Sequence, residues 1–312
     1  MSLASLKKLG VVATILLLAW VIYVFRQVPH EKTPFAKATD KTEEIILSQG
    51  NRAITLRKDS GQWKVGQEGT PFYASDAEMI KPLLSSLGTL RIEDEITDRA
   101  DRQADYDVTV DTGIRVRLLD AKQTNLAEGI FGKQAPDFAH IYFRYTDKPN
   151  VYLARGLIRG DLGRIEPNYW RSRQLIDMPE AKVEGILIET KSFKTDLVRT
   201  GTDTWTMNGE PAEVGYVNAQ IGTLSHSHLD EFIDPSLYPN LTFEGLTYAH
   251  VLVKGTDTSI DLRIGAQDPK TKRYPASIGK EQGLVWLSEG TISSLLKKAS
   301  DLKTKPNPKL KK

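Results

Sequence analysis

The chain has 312 residues and no cysteine, so a cysteine nucleophile is excluded. A serine nucleophile on a Gly-x-Ser-x-Gly turn is not indicated either, because that motif does not occur. The stretch GIFGK at 129–133 lacks the spacing and the hydroxyl residue of a phosphate-binding loop. It predicts instead a strand that ends in a turn glycine. The sequence therefore predicts a protein that is not an enzyme and carries no cofactor.

Residues 9–25 have no charged side chain, and Lys8 and Arg26 flank them. As a helix this run rises about 26 Å, close to the ~30 Å hydrocarbon core of a bilayer. No small-residue cleavage site comes after it, so the run predicts an uncleaved signal anchor and not a removed signal peptide. Residues 1–26 are interpreted as a cytoplasmic stub and a transmembrane helix. The expected membrane anchor residues are Leu9, Leu16, Trp20, Tyr23 and Phe25.

The orientation of the anchor does not follow from a count of positive charges, because lysine and arginine residues lie on both sides of it. A long domain after the anchor translocates largely regardless of its charge, and a short basic segment before an apolar run is typical of export. We therefore expect a single-pass protein of the bacterial inner membrane. Its amino terminus would be cytoplasmic and its body periplasmic.

The net charge of +2 conceals an uneven distribution. Residues 297–312 carry seven lysines and one acid, so the remainder of the chain is negative by four charges. A body with this balance gives no reason to expect binding to nucleic acid. The basic tail at 303–312 is predicted to be disordered, and residues 27–41, with Pro29 and Pro34, are predicted to form a flexible tether.

The body repeats one order of elements. Each half begins with short strands that end near a tryptophan, Trp63 or Trp205, and continues with a helix and four further strands. This order predicts an α+β fold made of a tandem duplication of a mostly antiparallel sheet-plus-helix unit. The predicted boundaries are residues 42–164 for the first repeat, 165–182 for a joining segment and 183–302 for the second repeat.

Local patterns refine the first repeat. The sequence SDAE at 75–78 is a capping box, which predicts a helix start with Ser75 as its cap. The acidic residues between Glu93 and Asp107 are typical of a solvated loop. Aromatic residues from Phe138 to Tyr145 alternate near a strand, and core packing is favoured over a binding groove.

Several of these segments together resemble a known family. The segments are GQWKV at 61–65, SDAE at 75–78, LAEGIFGK at 126–133, VYLA at 151–154 and YWRSRQL at 169–175. They are similar to a bacterial domain-of-unknown-function family often encoded beside gliding-motility (Gld)-type ABC transporters. The resemblance covers roughly residues 40–300 and supplies no catalytic residues. It implies an exported, membrane-tethered accessory protein whose partner is an ABC transporter permease.

The weak metal candidates are His226 and His228, which would share one face if their segment were a strand. No third histidine lies nearby in the sequence, so ordinary surface histidines are the favoured interpretation. The sequence thus predicts a non-catalytic accessory or scaffolding subunit of an inner-membrane complex. The alternatives are a periplasmic module that binds a lipid, glycan or peptide, and a metal-dependent hydrolase that uses the two histidines.

Overall fold

The computed structural model describes residues 33–238, 241, 243, 248–279 and 283–302. The chain divides into two compact units. Unit 1 contains the described residues up to Lys58 together with Ala77–Tyr169, and unit 2 contains Asp59–Asp76 and the described residues from Trp170 onward. The segment Asp59–Asp76, which the sequence placed in the first repeat, therefore groups with the second half of the chain.

Nine antiparallel strands form the first sheet, in the order β4-β3-β2-β1-β6-β7-β8-β9-β5. Their bounds are β1 (Glu44–Gln49), β2 (Arg52–Asp59), β3 (Gln62–Gly66), β4 (Tyr73–Ala74), β5 (Arg91–Thr97), β6 (Ile114–Leu119), β7 (Asn125–Gln134), β8 (His140–Arg144) and β9 (Val151–Arg155).

Nine more strands form the second sheet, in the order β13-β12-β11-β10-β15-β16-β17-β18-β14. Their bounds are β10 (Val183–Thr190), β11 (Lys194–Arg199), β12 (Trp205–Met207), β13 (Glu210–Pro211), β14 (Glu231–Phe232), β15 (Ala249–Gly255), β16 (Ser259–Ile264), β17 (Tyr274–Ile278) and β18 (Leu284–Leu287).

Helices connect and flank these strands. The α-helices are α1 (Ala77–Thr89), α2 (Pro167–Trp170), α3 (Val214–Ser225) and α4 (Glu289–Leu295). Short 3-10 helices occupy Thr39–Lys41, Ala100–Tyr106, Arg159–Leu162, Glu180–Lys182, Pro235–Leu237 and Ala299–Leu302.

The two sheets share one topology, since adding nine to each strand number of the first order gives the second order. The helices α1 and α3 occupy the same place, between the fourth and fifth strands of their halves. Trp63 lies on β3 and Trp205 lies on its counterpart, β12. The α+β class and the two antiparallel sheets are confirmed, and the shared strand order suggests a duplicated unit.

The cores follow the predicted periodicities. Ile45 and Leu47 alternate along β1 and are fully buried, as period-two patterning requires of a strand with one buried face. On α1 the buried residues are Ile80, Leu83 and Leu87, which lie on one face of the helix. In unit 2, α3 buries Val217, Ile221 and Leu224, whose spacing of three and four residues places them on one face of the helix.

Three local predictions are wrong. Residues 93–97, part of the predicted acidic loop, belong to the edge strand β5, because the backbone of this strand pairs with β9. The helix α1 begins at Ala77, after Ser75, and the buried Ser75 hydroxyl has no hydrogen-bond partner among the described residues, so it does not cap.

The third correction concerns Gly129 and Gly132, which lie inside β7 and not at a turn. A Cβ atom at Gly129 would stand 2.2 Å from the Phe143 ring, and one at Gly132 would stand 2.0 Å from the Tyr106 carbonyl oxygen. These glycines are required by close packing, since any side chain would collide with its neighbours.

Part of the predicted tether is folded into unit 1. Phe35 is fully buried, and its ring centroid lies 5.8 Å from that of Phe131 and 6.3 Å from that of Phe143. The chain then forms the 3-10 helix Thr39–Lys41 and enters the sheet where the Glu43 amide donates to the Leu119 carbonyl oxygen at 2.9 Å. The segment from Thr33 onward is therefore a packed part of the unit and not a free spacer.

We expect the substitution Phe35→Ala to destabilise the protein by about 3–5 kcal/mol, because it removes a large side chain from an aromatic cluster that cannot collapse around the cavity. The free energy of unfolding in denaturant measures this loss. Val110→Ala, at a side chain that is exposed in the same unit, is the control and should change stability by no more than about 0.5 kcal/mol. Equal effects of the two substitutions would contradict the packing role of Phe35.

Candidate functional site

One end of unit 1 is formed by three loops that lie side by side. The strand β6 begins, β7 ends, β8 begins and β9 ends at this side of the sheet, as the antiparallel pairs Ile114 with Phe131 and His140 with Arg155 show. The connecting segments 107–113, 135–139 and 156–163 are called here the loop end of unit 1. Each segment presents an exposed apolar side chain: Val110, Phe138 and Ile158.

Phe138 is the most exposed of these side chains, at 79% of its surface. It lies at the tip of the β7–β8 hairpin, with a left-handed backbone at φ +58°. Its amide donates to the Ala135 carbonyl oxygen at 3.0 Å, and the Asp137 carboxylate accepts from the next two amides. Left-handed positions in hairpins favour glycine or asparagine, so a phenylalanine here is energetically unfavourable for the turn itself.

Hydrogen bonds from side chains connect the loops of this end. Gln134 accepts from the Arg159 amide at 3.0 Å and donates to the Phe138 carbonyl oxygen at 3.3 Å, which joins the hairpin tip to the segment after β9. The buried Arg144 donates through Nε to the Val108 carbonyl oxygen at 2.9 Å. Arg159 donates through Nη1 to the carbonyl oxygen of Phe131 at 3.1 Å. The exposed apolar residues therefore project from a tied framework.

The burial of these two guanidinium groups changes their pKa. Desolvation lowers the pKa of Arg144 and of Arg159, since a charged group loses its hydration when it is buried. Both side chains use their donors on backbone carbonyl oxygens, which compensates part of this loss. Their role is to hold loops.

His140 lies between two carboxylates at the same end. Its Nδ1 contacts an oxygen of Asp137, and its Nε2 lies 2.8 Å from Oε2 of Glu93 on β5. The hydrogen bond with Asp137, supported by that with Glu93, raises the pKa of His140. The same bond lowers the pKa of Asp137. The His140 ring between two carboxylates joins the hairpin tip to the edge strand, and this arrangement was not predicted from the sequence.

The two predicted metal candidates do not form a closed site. His226 directly follows α3, and its side chain is 80% exposed. Its Nδ1 lies 2.8 Å from the Gly222 carbonyl oxygen and 3.8 Å from a carboxylate oxygen of Glu180. His228 is exposed in a short bridge with Gln174. Within the described parts of the chain, no group of three or more histidine, cysteine, aspartate or glutamate side chains is placed to hold a metal ion.

The aromatic residues near β8 and in the joining segment, for which core packing is favoured, are divided between core and surface. Phe143 and Trp170 are buried, whereas Phe138 is exposed and Tyr169 is partly exposed. In unit 2 the joining segment instead places the Arg171 guanidinium between two rings, 3.8 Å from the centroid of Tyr73 and 3.6 Å from that of Phe232. Burial lowers the pKa of Arg171 to about 10, and stacking on both faces stabilises the cation there.

Unit 2 also has an open cavity of about 430 Å³. Its lining includes Gln62, Leu175, Asp177, Ile260 and Asp261. His250 Nε2 lies 2.9 Å from Oδ1 of Asp261, so the carboxylate is partly engaged by the protein itself. The volume is within the range of small-ligand sites, and the lining mixes apolar and acidic groups.

The predicted membrane residues Leu9, Leu16, Trp20, Tyr23 and Phe25 lie outside the described residues. The basic tail at 303–312 also lies outside them. Among the helices that the structure does describe, none is both long and apolar enough to cross a bilayer.

The His140 cluster should make stability depend on pH. Its folded pKa is raised above the ordinary value of 6.5, so the stabilisation is complete below pH 6.5 and is lost as pH rises through the raised pKa. We expect His140→Gln to flatten the free energy of unfolding against pH in that window. The same substitution at the exposed His228 is the control and should leave the pH dependence in place. An unchanged profile for His140→Gln would contradict the assignment.

Comparison with known proteins identifies a family but no characterised relative. No curated protein and no solved structure matches the chain. Residues 71–224, which run from the segment before β4 into α3, match the family described as "Domain of unknown function (DUF4340)". The resemblance to a domain-of-unknown-function family is therefore confirmed over residues 71–224.

Proposed function

We propose that this protein is a non-catalytic, membrane-tethered accessory subunit of an inner-membrane complex, with its body in the periplasm. The single observation that carries the proposal is the uncharged run of residues 9–25 directly before the folded body. Its length suits one crossing of a bilayer as a helix. Lys7 and Lys8 lie directly before the run, and basic residues in this place favour export of the domain after it.

The fold supports a role through contact. Among the described residues, which begin at Thr33, the first deeply buried side chain is Phe35, and it follows the end of the uncharged run by only ten residues. A body attached over so short a distance stays near the bilayer, and this confinement raises its effective concentration beside a membrane partner. A weak interface with that partner is then sufficient for assembly. The rigidly held loop end of unit 1 offers exposed apolar side chains for contacts close to the membrane.

The partner that we propose is the permease of an ABC transporter. This part of the proposal comes from the resemblance to a family encoded beside Gld-type transporters. The family match itself carries no function, so the partner has to be identified by experiment. Isolation of the intact protein from native membranes in mild detergent, followed by identification of the proteins that accompany it, is the direct test.

We expect a variant that begins at Gln27 behind a cleavable signal to lose most of its permease during this isolation, because the body no longer benefits from confinement. The double variant His226→Ala with His228→Ala is the matched control and should retain the permease, since we assign no chemistry to these exposed side chains. Quantitative mass spectrometry of the isolated complexes measures both. A soluble body that turns over a substrate, with the double variant inactive, would favour the hydrolase.

A second candidate function is supported by the cavity of about 430 Å³ in unit 2. A periplasmic module that binds a lipid, glycan or peptide would use such a site. Native mass spectrometry of the intact protein in detergent distinguishes the two functions. A small molecule that remains bound, and that is lost on Ile260→Arg inside the cavity, would favour the binding module.

A further inference from the structure

We propose that the loop end of unit 1 rests on the bilayer surface, with Phe138 inserted at the level of the lipid headgroups. This inference rests on the proposed membrane anchor and extends it, because it says which part of the body faces the lipid. Three independent observations support it: the place where the chain enters unit 1, the apolar residues at that place, and the backbone conformation of Phe138.

Phe35, the first fully buried residue among those described, lies close to the loop end of unit 1. It packs against Phe131, which pairs with Ile114, the first residue of β6. Eight residues later, the Glu43 amide bonds to Leu119, the last residue of β6, at the opposite end of the sheet. The residue that follows the proposed anchor by ten positions is therefore held nearer the loop end than the opposite end.

The distances place the bilayer close to the hairpin tip. From Arg26 to Phe35 the chain has nine steps, which span at most about 32 Å when fully extended. From the level of Phe131 to the tip of the β7–β8 hairpin is about 20 Å along the strand. If the hairpin points at the membrane, even a fully extended connection leaves only about 12 Å between the hairpin tip and the end of the anchor. A less extended connection brings the tip into contact.

The side chains at this end suit an interfacial environment. Val110, Phe138 and Ile158 are 59%, 79% and 51% exposed, and each comes from a different loop of the same end. Aromatic and aliphatic side chains gain free energy at the boundary of headgroups and acyl chains.

The backbone of Phe138 provides the third observation. A bulky residue at φ +58° is disfavoured relative to glycine, and the exposed ring gains no compensating burial inside the unit. An unfavourable conformation that displays an apolar ring to solvent points to a contact outside the folded unit. The bilayer is the surface that the short connection to Phe35 brings within reach.

The natural absence of cysteine gives a direct test. Phe138→Cys is introduced into the full-length chain, labelled with the fluorophore NBD and reconstituted into phosphatidylcholine and phosphatidylglycerol vesicles, with and without lipids that carry a nitroxide quencher near the headgroup. The label at position 138 should lose fluorescence to these lipids and shift its emission to the blue. Labels at Val110→Cys and Ile158→Cys should show the same loss to a smaller degree.

Lys122→Cys is the matched control, because Lys122 is exposed in the β6–β7 turn at the opposite end of the same sheet. That end lies about 30 Å away along the ten-residue strand β7. Its label should be unaffected by the quencher. Equal quenching at positions 122 and 138, or quenching at 122 alone, would overturn the proposed orientation. Circular dichroism of each labelled protein shows that it is folded.

Carbonate extraction of the same vesicles separates this inference from the proposed function. If the chain stays in the membrane while the label at 138 remains unquenched, the anchor is supported and only the proposed orientation is refuted. A chain that carbonate removes, with no label quenched, refutes both. A chain that carbonate removes but whose label at 138 is quenched beforehand refutes the anchor and supports the lipid contact of the loop end.

Discussion

The packing of Phe35 between Phe131 and Phe143 is the interaction on which the proposed role of unit 1 depends. It fixes the amino-terminal segment, at Phe35, to the core of unit 1 beside Phe131 of β7 and Phe143 of β8. An aromatic cluster of this kind is held by burial and by edge-to-face contacts, and it tolerates little displacement. The predicted tether is therefore shortened to the part before Thr33. A short connection restricts where the body can stand above a membrane, whereas a long flexible one would not.

The two sheets share one strand order, but their edge strands and loops carry different side chains. The edge strand β5 of the first sheet has seven residues and holds Glu93 beside His140, whereas its counterpart β14 has only Glu231 and Phe232. The corresponding turn after β16 contains no exposed phenylalanine like Phe138 among its described residues. Unit 2 has instead the open cavity beside Asp177 and Asp261. A shared framework thus supports exposed apolar loop residues in one unit and an open cavity in the other.

The ionisable side chains of the loop end hold its loops in place. Arg144 and Arg159 are partly buried and donate hydrogen bonds to backbone carbonyl oxygens. These hydrogen bonds hold the loops in place where regular secondary structure does not. His140 contributes a cation only while it is protonated, so the tie between the hairpin and β5 weakens as pH rises.

Local sequence patterns were enough to assign the class of fold, the repeated order of elements and many buried positions, because periodicity and tryptophan spacing are properties of short segments. Leu83, Leu87, Val217 and Ile221 could be assigned to cores in this way. The three-dimensional structure was needed to show that Phe35 is core, that residues 91–97 are a strand, and that Glu93 meets His140 across 47 positions. Such facts depend on pairing between distant segments, and a phenylalanine among prolines and lysines gives no local signal of the cluster that it completes. The exposure of Phe138 is decided in the same way, since the alternation that favours a buried ring continues only as far as the strand does.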